Sequence, residues 1–170
     1  MVEELEVLEL ESTQPHSLTS REISLASSIM ILKDAGSPVT IRNIESLEKH
    51  MKEMPPVEMP VKNYFSQGAY ARELFIKKGT VLTGKIHKHE NLNIMPYGDI
   101  TVLTHDGMKR LTGYNVVVSP AGTKRVAYAH EDTVWITVIG TRDNDVDEIV
   151  RTFTAESLDE YLDFCRTLEE

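Results

Sequence analysis

The feature that most limits the fold is a run of short segments between Tyr64 and Thr141 in which apolar and polar residues alternate. Alternation with a period of two is typical of β-strands, because successive side chains on a strand point to opposite faces. Turn signals separate the segments, at residues 78–79 (Lys-Gly), 96–99 (Pro-Tyr-Gly-Asp) and 106–107 (Asp-Gly). The pattern predicts about eight strands in a closed barrel or a sandwich. A Rossmann or P-loop fold is disfavoured, since no Gly-rich phosphate loop opens a helix.

Helical patterns flank this strand-rich centre. Residues 1–17 lack an apolar period and predict a mobile acidic arm. Apolar residues at helical spacing predict two helices, over about 19–35 and 37–51, which pack on the centre or serve self-association. The predicted organisation is an acidic arm (1–17), a helical extension with a Pro-rich linker (18–60), a small β-barrel (61–141) and a C-terminal helical segment (142–170).

The charge is distributed unevenly along the chain. The net charge is −9 overall, but residues 61–140 hold 10 basic and 6 acidic residues, a net charge of +4. The acidic balance argues against polymeric nucleic acid as a partner. No apolar run is long enough to span a membrane, and the single Cys165 excludes an internal disulfide, so a cytoplasmic location is expected. The basic centre, which also carries four of the six histidines, is where a functional site is expected.

The sharpest local signal is His87-Lys88-His89, near the end of a strand predicted over 80–89. Residues two apart on a strand face the same side, so both imidazoles would point into the barrel. Two inward imidazoles are half of a site for a divalent metal such as Zn, Fe, Ni or Mn. The alternatives are a pair of hydrogen-bonded barrel histidines or a pair that binds a ligand.

Residues 79–122 resemble the two sequence motifs of the cupin superfamily. The matching positions are Gly79, His87, His89, Gly98, Gly113, Pro120 and Gly122. The wider stretch 56–141 also resembles small cupin-like proteins of tailed phages, in the segments 60–65 (Pro-Val-Lys-Asn-Tyr-Phe), 87–90 (His-Lys-His-Glu) and 128–135 (Tyr-Ala-His-Glu-Asp-Thr-Val-Trp). The resemblance implies a mainly β, cupin-like jelly roll with an N-terminal helical pair and a C-terminal helix. It also implies host cytoplasm as the location, if the chain is phage-encoded.

The departures from the cupin motifs concern the metal ligands that the resemblance implies. His87 and His89 fall on the first two ligand positions. Asn93, or the apolar Ile94 if the spacer is one residue longer, occupies the position of the family's Glu, and Arg125 occupies that of its last His. Asn is a weak ligand for soft divalent metals, and a fixed cation opposes metal binding. His130, at the far end of the following strand, is a further candidate ligand, if a bulge or a partner subunit brings it back.

The same substitutions favour an anion site. Lys85, His87, His89, Lys124 and Arg125 are expected to converge near one mouth of the barrel. Arg suits carboxylate or phosphate, because its guanidinium makes paired hydrogen bonds with their oxygens. The alternative is that the lysines lie on solvated strand faces. The residues expected to contact a ligand are His87, His89, Asn93, Lys124 and Arg125, with Tyr128 and Trp135 as aromatic walls.

Three functions stay open on the sequence. The first is a binding protein that holds a small anionic metabolite or a nucleotide in the barrel, and so sequesters a host signal. The second is a metal-dependent cupin enzyme, an oxygenase, isomerase or lyase, that uses His87 and His89. The third is a structural or accessory phage protein with a vestigial pocket. A homo-oligomer is expected in each case, because amphipathic flanking helices often bury their apolar faces by dimerising.

Overall fold

The computed structural model describes residues 7–9 and 32–169 of the chain. Two five-stranded antiparallel sheets face each other, in the strand orders β1-β4-β10-β7-β8 and β2-β3-β11-β6-β9, and β5 pairs separately with β12. The strands are β1 (Val7–Glu9), β2 (Val61–Ser66), β3 (Ala69–Ile76), β4 (Thr80–Thr83), β5 (Ile86–His87), β6 (Asn91–Met95), β7 (Asp99–Thr104), β8 (Gly107–Thr112), β9 (Asn115–Ser119), β10 (Val126–Glu131), β11 (Thr133–Ile139) and β12 (Thr154–Ala155).

The pairing pattern identifies the architecture as a jelly roll. Eight strands form nested pairs: β3 with β11, β4 with β10, β6 with β9, and β7 with β8. Each pair joins strands that lie equally far from the middle of the series, as in one long hairpin rolled up on itself. The predicted mainly β, cupin-like jelly roll is therefore confirmed.

The strand predicted over 80–89 is wrong in its length. The observed strand β4 ends at Thr83, residues 84–85 belong to neither strand, and only Ile86 and His87 form β5. The reason is a change of partner: β5 leaves the barrel sheets and pairs with β12 of the C-terminal segment. After His87 the chain bends, and the Lys88 N–H donates to the carbonyl of Phe153 at 2.8 Å.

Three helices complete the described chain: α1 (Pro38–Met51), α2 (Val146–Phe153) and α3 (Leu158–Thr167). The second predicted N-terminal helix is confirmed by α1, which has Pro38 at its start as helices favour. The first, predicted over about 19–35, lies outside the described residues as far as residue 31, and residues 32–36 are irregular. Residues 7–9, inside the predicted arm, form β1; the rest of that arm is not among the described residues.

The alternation of side chains along each strand divides the buried residues between two sides of the first sheet. Its inner face meets the second sheet in a core that includes Ile100, Val102 and Ala127. Its outer face is covered by the apolar side of α1 and by the segment before α1. The residues of this outer cluster are Leu32, Ala35, Ile44, Leu47, Met51, Val81, Leu103 and Val126. Within the described residues, no helix is long and apolar enough to cross a membrane.

Candidate functional site

A cavity of about 110 Å³ lies between the two sheets. Since one water molecule needs roughly 10–15 Å³ of such space, the cavity is large enough for a small organic molecule. Its walls are apolar on the side of Leu74, Ile100 and Val102. The basic side chains among the described residues that line it are Arg72, Lys85, His87 and Arg125. No aspartate or glutamate is found among the described residues that line it.

Arg125 is held in the cavity wall by neutral acceptors. Its guanidinium donates to the carbonyl of Leu103 at 2.8 Å and to the hydroxyl of Ser119. It also lies over the Trp135 ring, with 6.0 Å from Cζ to the ring centroid. Among the described residues no carboxylate forms an ion pair with it, and desolvation lowers its pKa to about 10. Arg125 is therefore a half-buried cation whose charge no carboxylate neutralises, and it faces a cavity.

Lys124, its neighbour in the chain, faces the other way. The Lys124 side chain is 2% exposed, and its ammonium lies 2.6 Å from a carboxylate oxygen of Glu48 on α1. The ammonium also donates to the carbonyl of Gly84 at 3.0 Å. Lys124 is not part of the cavity lining. The structure thus separates two adjacent cations that were expected to converge.

Among the described residues, His87 is the one imidazole in the cavity lining. Its backbone is fixed by two hydrogen bonds, from its N–H to the carbonyl of Thr123 and from the Gly122 N–H to its carbonyl. Burial lowers the pKa of His87 to about 4, and repulsion by Arg125 and Arg72 adds to the effect. The ring is therefore neutral at pH 7, with one nitrogen that donates and one that accepts a hydrogen bond.

His89 does not accompany His87 into the cavity. Because β5 ends at His87 and the chain bends, the alternation rule no longer applies two residues later. The His89 ring instead meets Phe153 and Phe164 edge-on, each at 5.4 Å between ring centroids, and the residue is exposed. The expectation that both imidazoles face the barrel interior is wrong.

Asn93 is buried at the centre of a polar network. Its amide nitrogen donates to Asn91 Oδ1 at 2.8 Å and to Ser119 Oγ at 2.6 Å. Its oxygen accepts from Trp135 Nε1 at 3.0 Å and from Thr137 Oγ1 at 2.9 Å. Since an indole N–H can only donate, the oxygen must face Trp135. All four hydrogen-bonding positions of the amide are occupied, so Asn93 lines the cavity as a structural support.

Tyr128 and His130 lie on the outer side of β10. Arg125 and Ala127 line the cavity, and alternation turns residues 128 and 130 away from it. Tyr128 packs against the outer cluster, which α1 covers. Its ring meets His130 edge-on at 4.8 Å, and His130 Nε2 lies 2.7 Å from the hydroxyl oxygen of Thr101. Of the two predicted aromatic walls, the structure brings only Trp135 to the cavity.

The residues present do not fit the divalent metal that the cupin resemblance implies. Of the four ligand positions, His87 alone offers a free nitrogen to the cavity, since His89 and the amide of Asn93 are engaged elsewhere. Arg125 in the fourth position is a cation, which repels a metal ion. Across the described parts of the chain, no group of three or more His, Cys, Asp or Glu residues is arranged to hold a metal.

Two parts of the cavity wall were not named from the sequence. Arg72 lines the cavity from β3, and a signal for it existed: it has the same strand parity as Tyr70 and Leu74, which places all three on the inner face. Ile149, Val150 and Thr154 close the cavity from α2 and β12. No local sequence pattern predicts that these residues contact the cavity, because the contact depends on the pairing of β12 with β5.

No protein-family model matches the chain, and no curated protein matches it at a significant level. Solved structures with a similar fold include an RmlC-like cupin from Shewanella frigidimarina, with 16% identity over 51% of this chain and 78% of that one and a TM-score of 0.44. KdgF from a Halomonas species gives 22% identity, 54% and 87% coverage and a TM-score of 0.45.

A third similar structure is an RmlC-like cupin from Methanocaldococcus jannaschii with a double-stranded β-helix fold. It gives 13% identity, 50% and 82% coverage and a TM-score of 0.42. At these identities, and with TM-scores below 0.5, the three likenesses do not bear on what this chain binds or catalyses. The strand pairing itself carries the assignment: the chain forms a cupin-like jelly roll.

Proposed function

We propose that this protein binds a small anionic molecule in the cavity between its sheets. The observation that carries the proposal is Arg125, a half-buried cation that lines the cavity. Within the described part of the chain its partners are neutral and the cavity lining holds no acidic side chain. Burying a charge is costly unless an opposite charge or strong hydrogen bonds compensate. An anionic ligand in the cavity would provide that compensation.

The chemistry of the walls describes the ligand further. A carboxylate or phosphate group would face Arg125, with Lys85 and Arg72 adding positive potential. The neutral imidazole of His87 can donate a hydrogen bond to the same group. Leu74, Ile100 and Val102 offer no polar partner, so they favour an apolar body on the ligand. The ligand class is a small carboxylic acid or phosphate monoester with an apolar part; if the chain is phage-encoded, the ligand would come from the host.

A titration of the purified protein tests this proposal. Isothermal titration calorimetry with benzoate, hexanoate, phenyl phosphate and adenosine monophosphate is compared with the neutral analogues benzamide and benzyl alcohol. We expect binding of one or more anions and none of the neutral analogues. Mass spectrometry of small molecules that copurify with the protein extends the panel. No anion bound in either experiment would overturn the proposal.

The metal-dependent alternative gives a different result in the same preparation. Elemental analysis that found one divalent metal per chain, lost in the variant His87→Ala, would favour an enzyme over a binding protein. The geometry favours the binding protein, because His89 and Asn93 do not offer their ligand atoms to the cavity.

A further inference from the structure

Lys85 lines the cavity and also forms an ion pair with a surface carboxylate, that of Glu156. It belongs to the break between β4 and β5 and lines the cavity. Its ammonium is 2.5 Å from Oε1 of Glu156, which follows β12 on the outside of the barrel. The Lys85 side chain is 16% exposed and that of Glu156 is 71% exposed. The pair therefore joins a cation of the cavity wall to a solvated carboxylate.

Other contacts hold the C-terminal segment in place without this pair. β5 and β12 pair as antiparallel strands, with His87 opposite Thr154 and Ile86 opposite Ala155. Lys88 donates to the carbonyl of Arg151 at 2.9 Å and pairs with Glu160 at 3.2 Å. Lys85 can consequently leave Glu156 while the segment that closes the cavity stays attached.

We propose that Glu156 is an internal competitor of the ligand, and that Lys85 exchanges the Glu156 carboxylate for the anion bound in the cavity. This inference rests on the proposed anion binding and adds its regulation. The exchange has a low cost, because a carboxylate as exposed as Glu156 regains its hydration when Lys85 leaves. Lys85 in turn moves from a screened surface pair to an anion in a less polar cavity, where attraction between charges is stronger.

The competition has a specific signature in a double-mutant cycle. Benzoate and phenyl phosphate serve as probes, with affinities measured by calorimetry for the wild type, Glu156→Gln, Lys85→Met and the double variant. Glu156→Gln should tighten binding about two- to fivefold, the size expected for removing an exposed ion pair. Lys85→Met should weaken binding. In the Lys85→Met background, Glu156→Gln should have no effect, since nothing remains to compete for.

A matched control separates competition from loosening of the C-terminal segment. Glu160→Gln removes the charge that pairs with Lys88, a residue outside the cavity lining. Its amide oxygen can still accept the hydrogen bond that the Glu156 N–H donates to Glu160 at 2.9 Å, so both affinities should stay unchanged. The inference is overturned if Glu160→Gln tightens binding as much as Glu156→Gln does. It is also overturned if Glu156→Gln weakens binding, leaves it unchanged, or tightens it equally without Lys85. A wild type that binds no anion overturns the proposed function as well, so the two failures are distinguishable.

Discussion

Lys124 and Arg125 are consecutive cations in one wall of the barrel, yet they face opposite sides and have different partners. Lys124 points towards α1 and is neutralised there by the carboxylate of Glu48. Arg125 points into the cavity and has a carbonyl and a hydroxyl as its partners. The difference shows how a structural charge can be told from a binding charge: the first has its counterion in the fold, and the second faces a space that a counterion can enter.

The largest expected effect is a loss of stability when the ion pair between Lys124 and Glu48 is removed. Lys124→Met removes the ammonium that pairs with the carboxylate of Glu48, a side chain that is only 17% exposed, and that donates to the carbonyl of Gly84. Breaking a buried ion pair from one side costs about 3–5 kcal/mol, and the free energy of unfolding in urea should fall by about that much. Lys124→Met should still bind anions under conditions in which the variant is folded.

A second variant removes both members of the pair. Lys124→Met combined with Glu48→Met should recover most of the lost stability, because the carboxylate that loses Lys124 is removed with it. Loss of benzoate or phenyl phosphate binding in this stable double variant would show that Lys124 belongs to the binding site after all.

The next effect concerns the support beneath Arg125. Ser119 Oγ accepts hydrogen bonds from both Arg125 and Asn93. Asn93 therefore holds the Ser119 hydroxyl in place, and that hydroxyl in turn positions the guanidinium of Arg125. Asn93→Leu keeps the size of the side chain but leaves the polar groups of Ser119 and Trp135 without their present partner. The free energy of unfolding should fall by about 2–4 kcal/mol, and anion binding should weaken as well. A variant with unchanged stability and affinity would contradict the role of the network.

A smaller effect follows from the lowered pKa of His87. Its pKa is about 4 in the folded protein and about 6.5 in an unfolded chain, so the unfolded state takes up the proton first as the pH falls. The stability that His87 contributes is complete above pH 6.5 and is lost between pH 6.5 and 4, by up to about 3 kcal/mol.

Urea unfolding at pH 7.5 and pH 4.5 measures this effect. His87→Asn should lose less stability than the wild type between the two pH values, whereas His89→Asn, at an exposed position, should behave as the wild type does. Equal losses in His87→Asn and the wild type would contradict a buried neutral imidazole. A saturating anion should reduce the loss in the wild type, because a negative charge beside His87 favours its protonated form.

Much of the architecture could be predicted from the sequence, because its signals are local. The period of two and the frequent turns gave the strands of the jelly roll, and helical spacing gave α1. Arg125 in the cavity was predictable as well, from its place after the Pro120-Ala121-Gly122 turn in the motif that resembles the cupin family's, at the position of that family's last His. These features depend on a few neighbouring residues, so tertiary context did not override them.

The arrangement of the site was less predictable, for two physical reasons. The position of His89 depends on a bend caused by the pairing of β5 with β12, which is remote in the chain. The error on Lys124 and Tyr128 had a local remedy: if Arg125 faces inwards, alternation turns residues 124 and 128 outwards. Lys124 was predicted in the site for its charge and Tyr128 for its aromatic ring, and neither prediction took strand parity into account.

The most direct test of the central claim is the affinity of the variant Arg125→Met for benzoate and phenyl phosphate, measured by calorimetry beside the wild type and Arg125→Lys. A hydrogen-bonded ion pair with the ligand predicts binding about 10- to 100-fold weaker in Arg125→Met, with an intermediate affinity in Arg125→Lys. Thermal unfolding confirms that each variant is folded. Wild-type affinity in a folded Arg125→Met variant would contradict the account.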